Sequence, residues 1–277
     1  MKSGGAAQVR ELSLIPRYRT EGAAVFSLRT ADLRRLNSLT KYPSIPTHHT
    51  LDPKNGGLVE EPAVFPGTVL GTEKVDGTNG RVILLPDGTW LIGSREDLLT
   101  ASGDVVHNPA LGIVDALRSV AREAAGERDA ITVLYLEVYG GKQLPAWRKY
   151  GSGEPALRLF DMATIGPDLL EWDLAKISAW RQDGGQPYAA EPALREAARA
   201  FGVELTPRLF EIDGGALPAD IAGMRAFMEA YRVTRVATSG EPGANEGIVL
   251  RTPDRAVITK ARFQDYDRTL KRRAARK

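Results

Sequence analysis

A lysine at the junction of two apolar runs constrains this chain more than any other feature. Residues 72–80 read Thr-Glu-Lys-Val-Asp-Gly-Thr-Asn-Gly, with Val69 and Leu70 before them and Val82 to Leu85 after. Strand-forming residues interrupted by Asp-Gly and Asn-Gly read as strand, tight turn and strand, with Lys74 held near the turn. A lysine amine that is deprotonated and aimed can form a covalent bond to phosphorus. The same residues are also ordinary hairpin punctuation with a solvated edge lysine, so the stretch alone leaves both readings open. No cysteine and no Gly-x-Ser-x-Gly elbow offers a competing nucleophile.

Length and composition set the frame. A chain of 277 residues suits one large domain, or one domain with a small appendage. With 43% hydrophobic and 26% charged residues it can bury a sizeable core. No apolar run reaches the ~18 residues of a membrane span, and the N-terminus lacks the apolar region of a signal peptide. The absence of cysteine excludes a disulfide framework and thiolate metal sites. A cytoplasmic location is therefore expected. Net charge is only +2, but the last seven residues carry five cations and no acid. That tail can neutralise phosphates or simply remain a solvated terminus.

The hydrophobic pattern places further elements. Residues 1–10 read as disordered, and a helix runs from Thr30, as its N-cap, through Ser38. Tyr42 to His49 carries two prolines and must be extended, and residues 50–66 read as a Gly/Pro-rich connection. Strands are expected at Val69–Val75, Val82–Leu85, Trp90–Ile92, Ile131–Val138 and Ala156–Met162. A hairpin around Pro253-Asp254 pairs Ile248–Arg251 with Ala256–Ile258. Helices are expected at Pro109–Ala125, where Ile113, Leu117, Val120 and Ala124 share one face, and at Ala175–Trp180, Glu191–Phe201 and Pro218–Tyr231. From Gln264 onward the chain reads as basic and helical. Without a βαβ rhythm, the pattern predicts an α+β domain with antiparallel sheets flanked by helices.

Charged residues collect at the ends of the apolar strands. Glu137 closes Val-Leu-Tyr-Leu, Glu246 precedes Gly-Ile-Val-Leu-Arg, and Arg95 ends a hairpin strand. Lys260 and Arg262 stand two apart and so share a face. A charge at such positions is costly unless it is paired or used. One lysine, two carboxylates and three more cations form the set that phosphoryl and nucleotidyl transfer require, because cations offset a triphosphate and carboxylates hold a hydrated metal or a ribose hydroxyl. His48, His49 and His107 read as structural or surface residues rather than a metal site.

In order and spacing these stretches resemble the motifs of the covalent nucleotidyltransferases, the polynucleotide ligases and mRNA-capping enzymes. Glu73 to Gly80 resembles the motif of the adenylated lysine, and Ser94-Arg95 the arginine motif that follows. Leu136 to Gly140 resembles the third motif, and Leu157 to Met162 the aromatic motif whose Phe stacks on the base. Glu246 to Arg251 and Thr259 to Arg262 resemble the fourth and fifth. DNA ligases and capping enzymes carry arginine where this chain has Asn79, as nick-sealing ATP-dependent RNA ligases do. Lys41 to Pro46 also resembles a segment upstream of the lysine in such RNA ligases. The resemblance favours an RNA ligase over a DNA ligase, a capping-type enzyme or a non-catalytic RNA- or nucleotide-binding relative. Arg262 replaces the usual second lysine of the fifth motif, a planar fork in place of a point charge.

The resemblance implies an ATP-grasp-like nucleotidyltransferase domain over 67–265. Before it lies an extension (1–66), and after it a basic tail (266–277) with no OB domain. It implies that ATP and Mg²⁺ or Mn²⁺ serve a monomer joining RNA 3′-hydroxyl and 5′-phosphate ends, with no membrane involved. Lys74 would carry AMP, with Glu246, Lys260 and Arg262 as its catalytic partners. Glu73, Asn79, Arg95, Glu137, Phe160, Lys260 and Arg262 would contact nucleotide, Phe160 by stacking on adenine, although on spacing alone it is equally a core residue. Asp76, Glu137 and Glu246 would orient the metal through water.

Overall fold

The computed structural model of the protein describes residues 26–103, 112–142, 144 and 146–275. His107, the expected helix start at Pro109 and residues 1–10 lie outside them. Three antiparallel sheets organise the chain. The largest has five strands in the order β6 (Leu98–Ala101), β5 (Trp90–Ser94), β4 (Thr78–Leu84), β7 (Ile131–Tyr139), β8 (Ala156–Ile165). The second has four, β11 (Ile258–Arg262), β10 (Gly247–Arg251), β3 (Thr68–Lys74), β9 (Arg208–Asp213). A small pair joins β1 (His49–Leu51) to β2 (Leu58–Pro62).

Side-chain alternation explains why the central strands carry apolar residues on both faces. Val82, Leu84, Leu134 and Leu136 enter one core with Ile113 and Leu117 of α2 (Ile113–Glu123) and Leu194 of α4 (Glu191–Ala200). Their neighbours Ile83, Val133 and Tyr135 enter a second core with Leu36 and Leu39 of α1 (Leu33–Thr40) and Ile177 of α3 (Leu174–Gln182). These strand residues therefore meet a helix on one face or the other, and a polar one among them needs a partner, as buried Arg81 finds in Asn37 O and Thr40 Oγ1 of α1. The four-stranded sheet builds a third core. There Val69, Ile248, Leu250 and Ala261 pack on Met224 and Met228 of α5 (Ile221–Glu229) and on Phe263 and Tyr266 of α6 (Phe263–Ala274). The α+β class with antiparallel sheets is as the sequence implies. Among the described residues no helix is long and apolar enough to cross a membrane.

Several elements depart from the sequence reading. The helix expected from Thr30 is capped by Asp32, whose side chain accepts from the amides of Arg34 and Arg35. Residues 50–66, read as a connection, contain the β1–β2 hairpin, and Leu58 N–H donates to Thr269 Oγ1 of α6 at 2.9 Å. Strands β6 and β9 were not anticipated; β9 is a half-buried edge strand with little apolar alternation. The basic C-terminal stretch is helix α6, as the sequence implies, but its arginines are engaged rather than solvated. Arg268 donates to Gly56 O and Asp265, Arg272 to Asn55 O, and Arg273 pairs with Glu60. His48 and His49 are buried, and His49 bridges Tyr266 Oη (2.7 Å) and Ala219 O (2.9 Å).

Two features position the site. The turn after Lys74 does not fold β4 back onto β3: β3 pairs with β10 and β9, and β4 with β5 and β7. Residues 75–77 therefore form a corner that carries the chain from one sheet to the other. The proline-rich segment is extended, as expected, and runs as a strap along the free edge of β11. Lys260 N–H donates to Pro46 O, and His48 N–H to Lys260 O, both at 2.9 Å.

Candidate active site

A cleft of about 370 Å³ opens between the two larger sheets, within the usual range of ligand pockets. Thr72, Lys74, Val249, Arg251 and Lys260 line it from the four-stranded sheet. Thr78, Asn79, Glu137 and Phe160 face them from the five-stranded sheet, and the strap closes the third side with Tyr42 to Ile45.

Strand register brings the charges together. Lys74 ends β3 opposite Gly247, which places Glu246 beside it; Glu246 N–H donates to Lys74 O at 3.2 Å. The Lys74 ammonium pairs with Glu246 Oε2, and both side chains are about three-quarters buried. The other Glu246 oxygen lies 3.9 Å from Arg262 Nη1. Lys260 sits opposite Val249 on β11 and points into the cleft. Burial, then the charges of Arg262 and Lys74, hold its pKa below the ordinary lysine value. Glu137 lies opposite Asn79 and accepts from Gly77 N–H at 3.0 Å. Burial pushes its carboxyl up to about 7, against the downward pull of Lys74.

The remaining expected residues divide. Arg95 reaches the cleft wall and donates to Ser44 Oγ of the strap at 2.7 Å. Asn79 lines the cleft with its buried Oδ1 unpartnered. Phe160 faces the cleft while packing edge-on to Tyr42, centroids 5.0 Å apart, and against the second core. It is thus both a wall of the cleft and a core residue. Arg262 does not line the cleft; its Nε is held by Asp265 at 2.8 Å. Glu73 borders the cleft, but its carboxylate points to the opposite face, accepting from Thr234 Oγ1 and from Arg235 N–H at 2.8 Å. Any contact it makes to nucleotide falls to its backbone. Asp76 is turned outward by the corner and pairs with Lys149 at 2.5 Å, outside the cleft lining. Its expected place among metal-orienting groups does not fit this geometry.

Sequence reasoning missed Arg251 and the ties of the strap. Arg251 is 2% exposed at the cleft wall, close to both Asp161 and Glu191, with Nε unpartnered. Tyr42 Oη donates to Asp161 Oδ2 and accepts from Arg255 Nη2, each at 2.9 Å. Asp161, a carboxylate interrupting the apolar run Leu-Phe-Asp-Met of β8, was the available signal.

Among the described residues no three His, Asp or Glu side chains cluster as a metal site. Glu246 and Glu137 with the unpartnered Asn79 Oδ1 fit instead a hydrated Mg²⁺ or Mn²⁺ that keeps most of its shell as water and substrate phosphate.

A lysine–glutamate pair in a cleft between two antiparallel sheets, ringed by further cations, is an arrangement suited to nucleotidyl transfer. The family model for RNA ligase matches residues 67–272. The chain belongs to the RNA ligase family. Its fold is similar to RNA ligase structures from Naegleria gruberi. An apo mutant superposes with a TM-score of 0.52 at 15% identity, covering 82% of this chain and 57% of that one. A pyrophosphate-bound form gives 0.51 at 15%, covering 84% and 59%. A mutant solved with ATP and Mn gives 0.50 at 13%, covering 83% and 62%. Identity this low establishes the fold alone, and the chain spans about six-tenths of those chains. No curated protein matches it significantly.

Proposed function

We propose that this chain is an ATP-dependent RNA ligase that joins a 3′-hydroxyl to a 5′-phosphate through lysyl-AMP and adenylated RNA. The observation that carries the reading is the Lys74–Glu246 pair inside the cleft, with Lys260 beside it and Glu137 on the opposite wall. Family membership supports the reading, as does the ATP and Mn bound to a fold relative.

In the first step Glu246 accepts the proton that the Lys74 ammonium gives up. The freed nitrogen attacks the α-phosphorus of ATP; the P–N bond forms and pyrophosphate leaves with the electrons of the broken P–O bond. Lys260 offsets charge on the α-phosphate, and Arg262 acts at longer range through Glu246. Glu137 accepts from a ribose hydroxyl, Phe160 stacks on adenine, and Arg95 meets ribose or phosphate. Glu246 and Glu137 would hold a divalent metal through its waters, and that ion supplies charge neutralisation at the phosphates. The RNA 5′-phosphate then takes AMP from Lys74, and Asn79 assists the steps on RNA. Attack by the 3′-hydroxyl finally expels AMP. The unit that performs this is the core of residues 67–265 together with the strap that closes its cleft, acting as a monomer.

Incubation with α-labelled ATP and Mg²⁺ or Mn²⁺ tests the reading. Label should remain on the denatured wild-type band and vanish in Lys74→Ala. Nucleotide binding without covalent label identifies a non-catalytic relative. Label from GTP alone, or sealing confined to DNA ends, identifies a different member of the wider class.

A further inference from the structure

Beside the lysine lies a short turn that the mechanism above does not use. Trp147–Lys149 forms one 3-10 turn, with the Arg148 guanidinium 4.8 Å over the Trp147 ring. Lys149 reaches back to Asp76, two residues beyond Lys74, at 2.5 Å. Arg148 is exposed, and among the described residues no carboxylate pairs with it.

The turn is fixed from three sides. Tyr150 Oη accepts from Asp76 N–H at 2.5 Å, which ties the turn to the corner between the sheets. The buried Tyr150 ring packs on Tyr139 of β7, centroids 5.1 Å apart. Gly243 N–H donates to Lys149 O at 2.9 Å, and a Cβ on Gly243 would stand 2.8 Å from Lys149 Cα, so that loop must approach closely. Thr238 adds two donors to Tyr150 O, its amide at 2.6 Å and its hydroxyl at 3.0 Å. The fold thus holds a tryptophan and two cations against the corner that follows Lys74, on its outer side.

Among the described residues the basic helix α6 offers no comparable surface. The arginines of α6 are spent on the β1–β2 hairpin and Asp265. A strand reaching Lys74 needs cations for its phosphates and flat groups for its unstacked end bases, and a Trp-Arg pair beside a lysine supplies both.

We propose that Trp147, Arg148 and Lys149 form the docking platform for the RNA strand whose end reacts at Lys74. Arg148 meets a backbone phosphate, Lys149 holds the turn to Asp76, and the stacked indole and guanidinium offer a face to a base. The proposal rests on the ligase reading and names how its substrate is held.

The test titrates a fluorescein-labelled, 5′-phosphorylated RNA oligonucleotide against the full chain by anisotropy, at several salt concentrations. Arg148→Glu should weaken binding by about tenfold, and Arg148→Ala should lower the slope of log affinity against log salt by about one. Both variants should form lysyl-AMP within about twofold of wild type, since Arg148 touches no residue of the cleft. Unchanged affinity and salt slope in Arg148→Glu overturn the platform. So does a loss of lysyl-AMP as large as the loss of RNA binding, because the turn would then act on the fold of the site. Wild type that takes no label defeats the ligase reading; normal labelling with undiminished RNA binding in the variants defeats the platform alone.

Discussion

Glu137 is the cleft residue whose charge state depends most on the fold. Its carboxyl titrates at about 7 because it is buried, against an ordinary 4.5. Below pH 4.5 it is neutral in the folded and unfolded chain alike and costs nothing. Between 4.5 and about 7 the unfolded chain ionises while the folded one keeps its proton, so stability falls as pH rises. Above about 7 the penalty is complete. In the nucleotide- and metal-free protein, wild type should therefore lose on the order of 2 kcal/mol relative to Glu137→Gln across that window. Urea midpoints for both proteins at pH 4.5 and 7.5 measure it, and parallel curves would sink the assignment. At this scale the sequence was informative about identity and weak about direction. Lys74 and Glu246 stand at strand ends, Glu137 near the end of β7 and Lys260 in the middle of β11, and they converge because an apolar pattern sets the register of those strands. Glu73 and Asp76 flank the same lysine yet point away from the cleft, since the turn geometry that aims them involves partners 70 or more residues distant. Arg251 escaped notice because a lone arginine after an apolar run says nothing of the two carboxylates near it.

The decisive element is the corner at residues 75–77. A Cβ on Gly77 would stand 2.3 Å from Val138 O, so the corner lies directly on β7 and only glycine permits that approach. The same contact puts Gly77 N–H within reach of Glu137. Gly77→Ala should cost about 1–3 kcal/mol by forced backbone displacement. It should also reduce lysyl-AMP formation far more than it lowers the urea midpoint under labelling conditions, because the displacement lies between Lys74 and Glu137. Labelling that falls only in proportion to the folded fraction would refute this. The corner was legible as a turn but not as a crossing: Asp-Gly dictates a change of direction, whereas the identity of the paired strands depends on long-range register. The strap was legible as extended from its prolines, and its pairing with β11 was not. Helix α6 was legible as basic and helical, but its docking was not, because its buried Phe263, Asp265, Tyr266 and Thr269 do not stand out among its arginines.

In the molecule as a whole, the two large sheets meet at the cleft, and a nucleotide bound there contacts both. A ligand that binds the folded chain alone stabilises it by about 2.7 kcal/mol at a hundredfold excess over Kd. For a chain of this size that corresponds to a rise in Tm of roughly 5 °C. A non-transferable ATP analogue with Mg²⁺ should produce this rise as a single transition. The absence of any shift at saturating analogue would mean that the cleft does not take nucleotide. The α+β class was readable from the lack of βαβ alternation, and the sandwich of helices around the five-stranded sheet from the continuous apolar run of β7. The division of strands between two sheets was not, because nothing local distinguishes β3 from β4 as members of different layers. That division has a practical consequence. Lys74 rides on the chain segment that joins β3 to β4, so under the proposed reaction a molecule whose layers have docked incorrectly would take up no adenylate. Moles of label bound per mole of polypeptide would then serve as a titration of the correctly assembled fraction, an internal gauge of sample quality that no spectroscopic average provides.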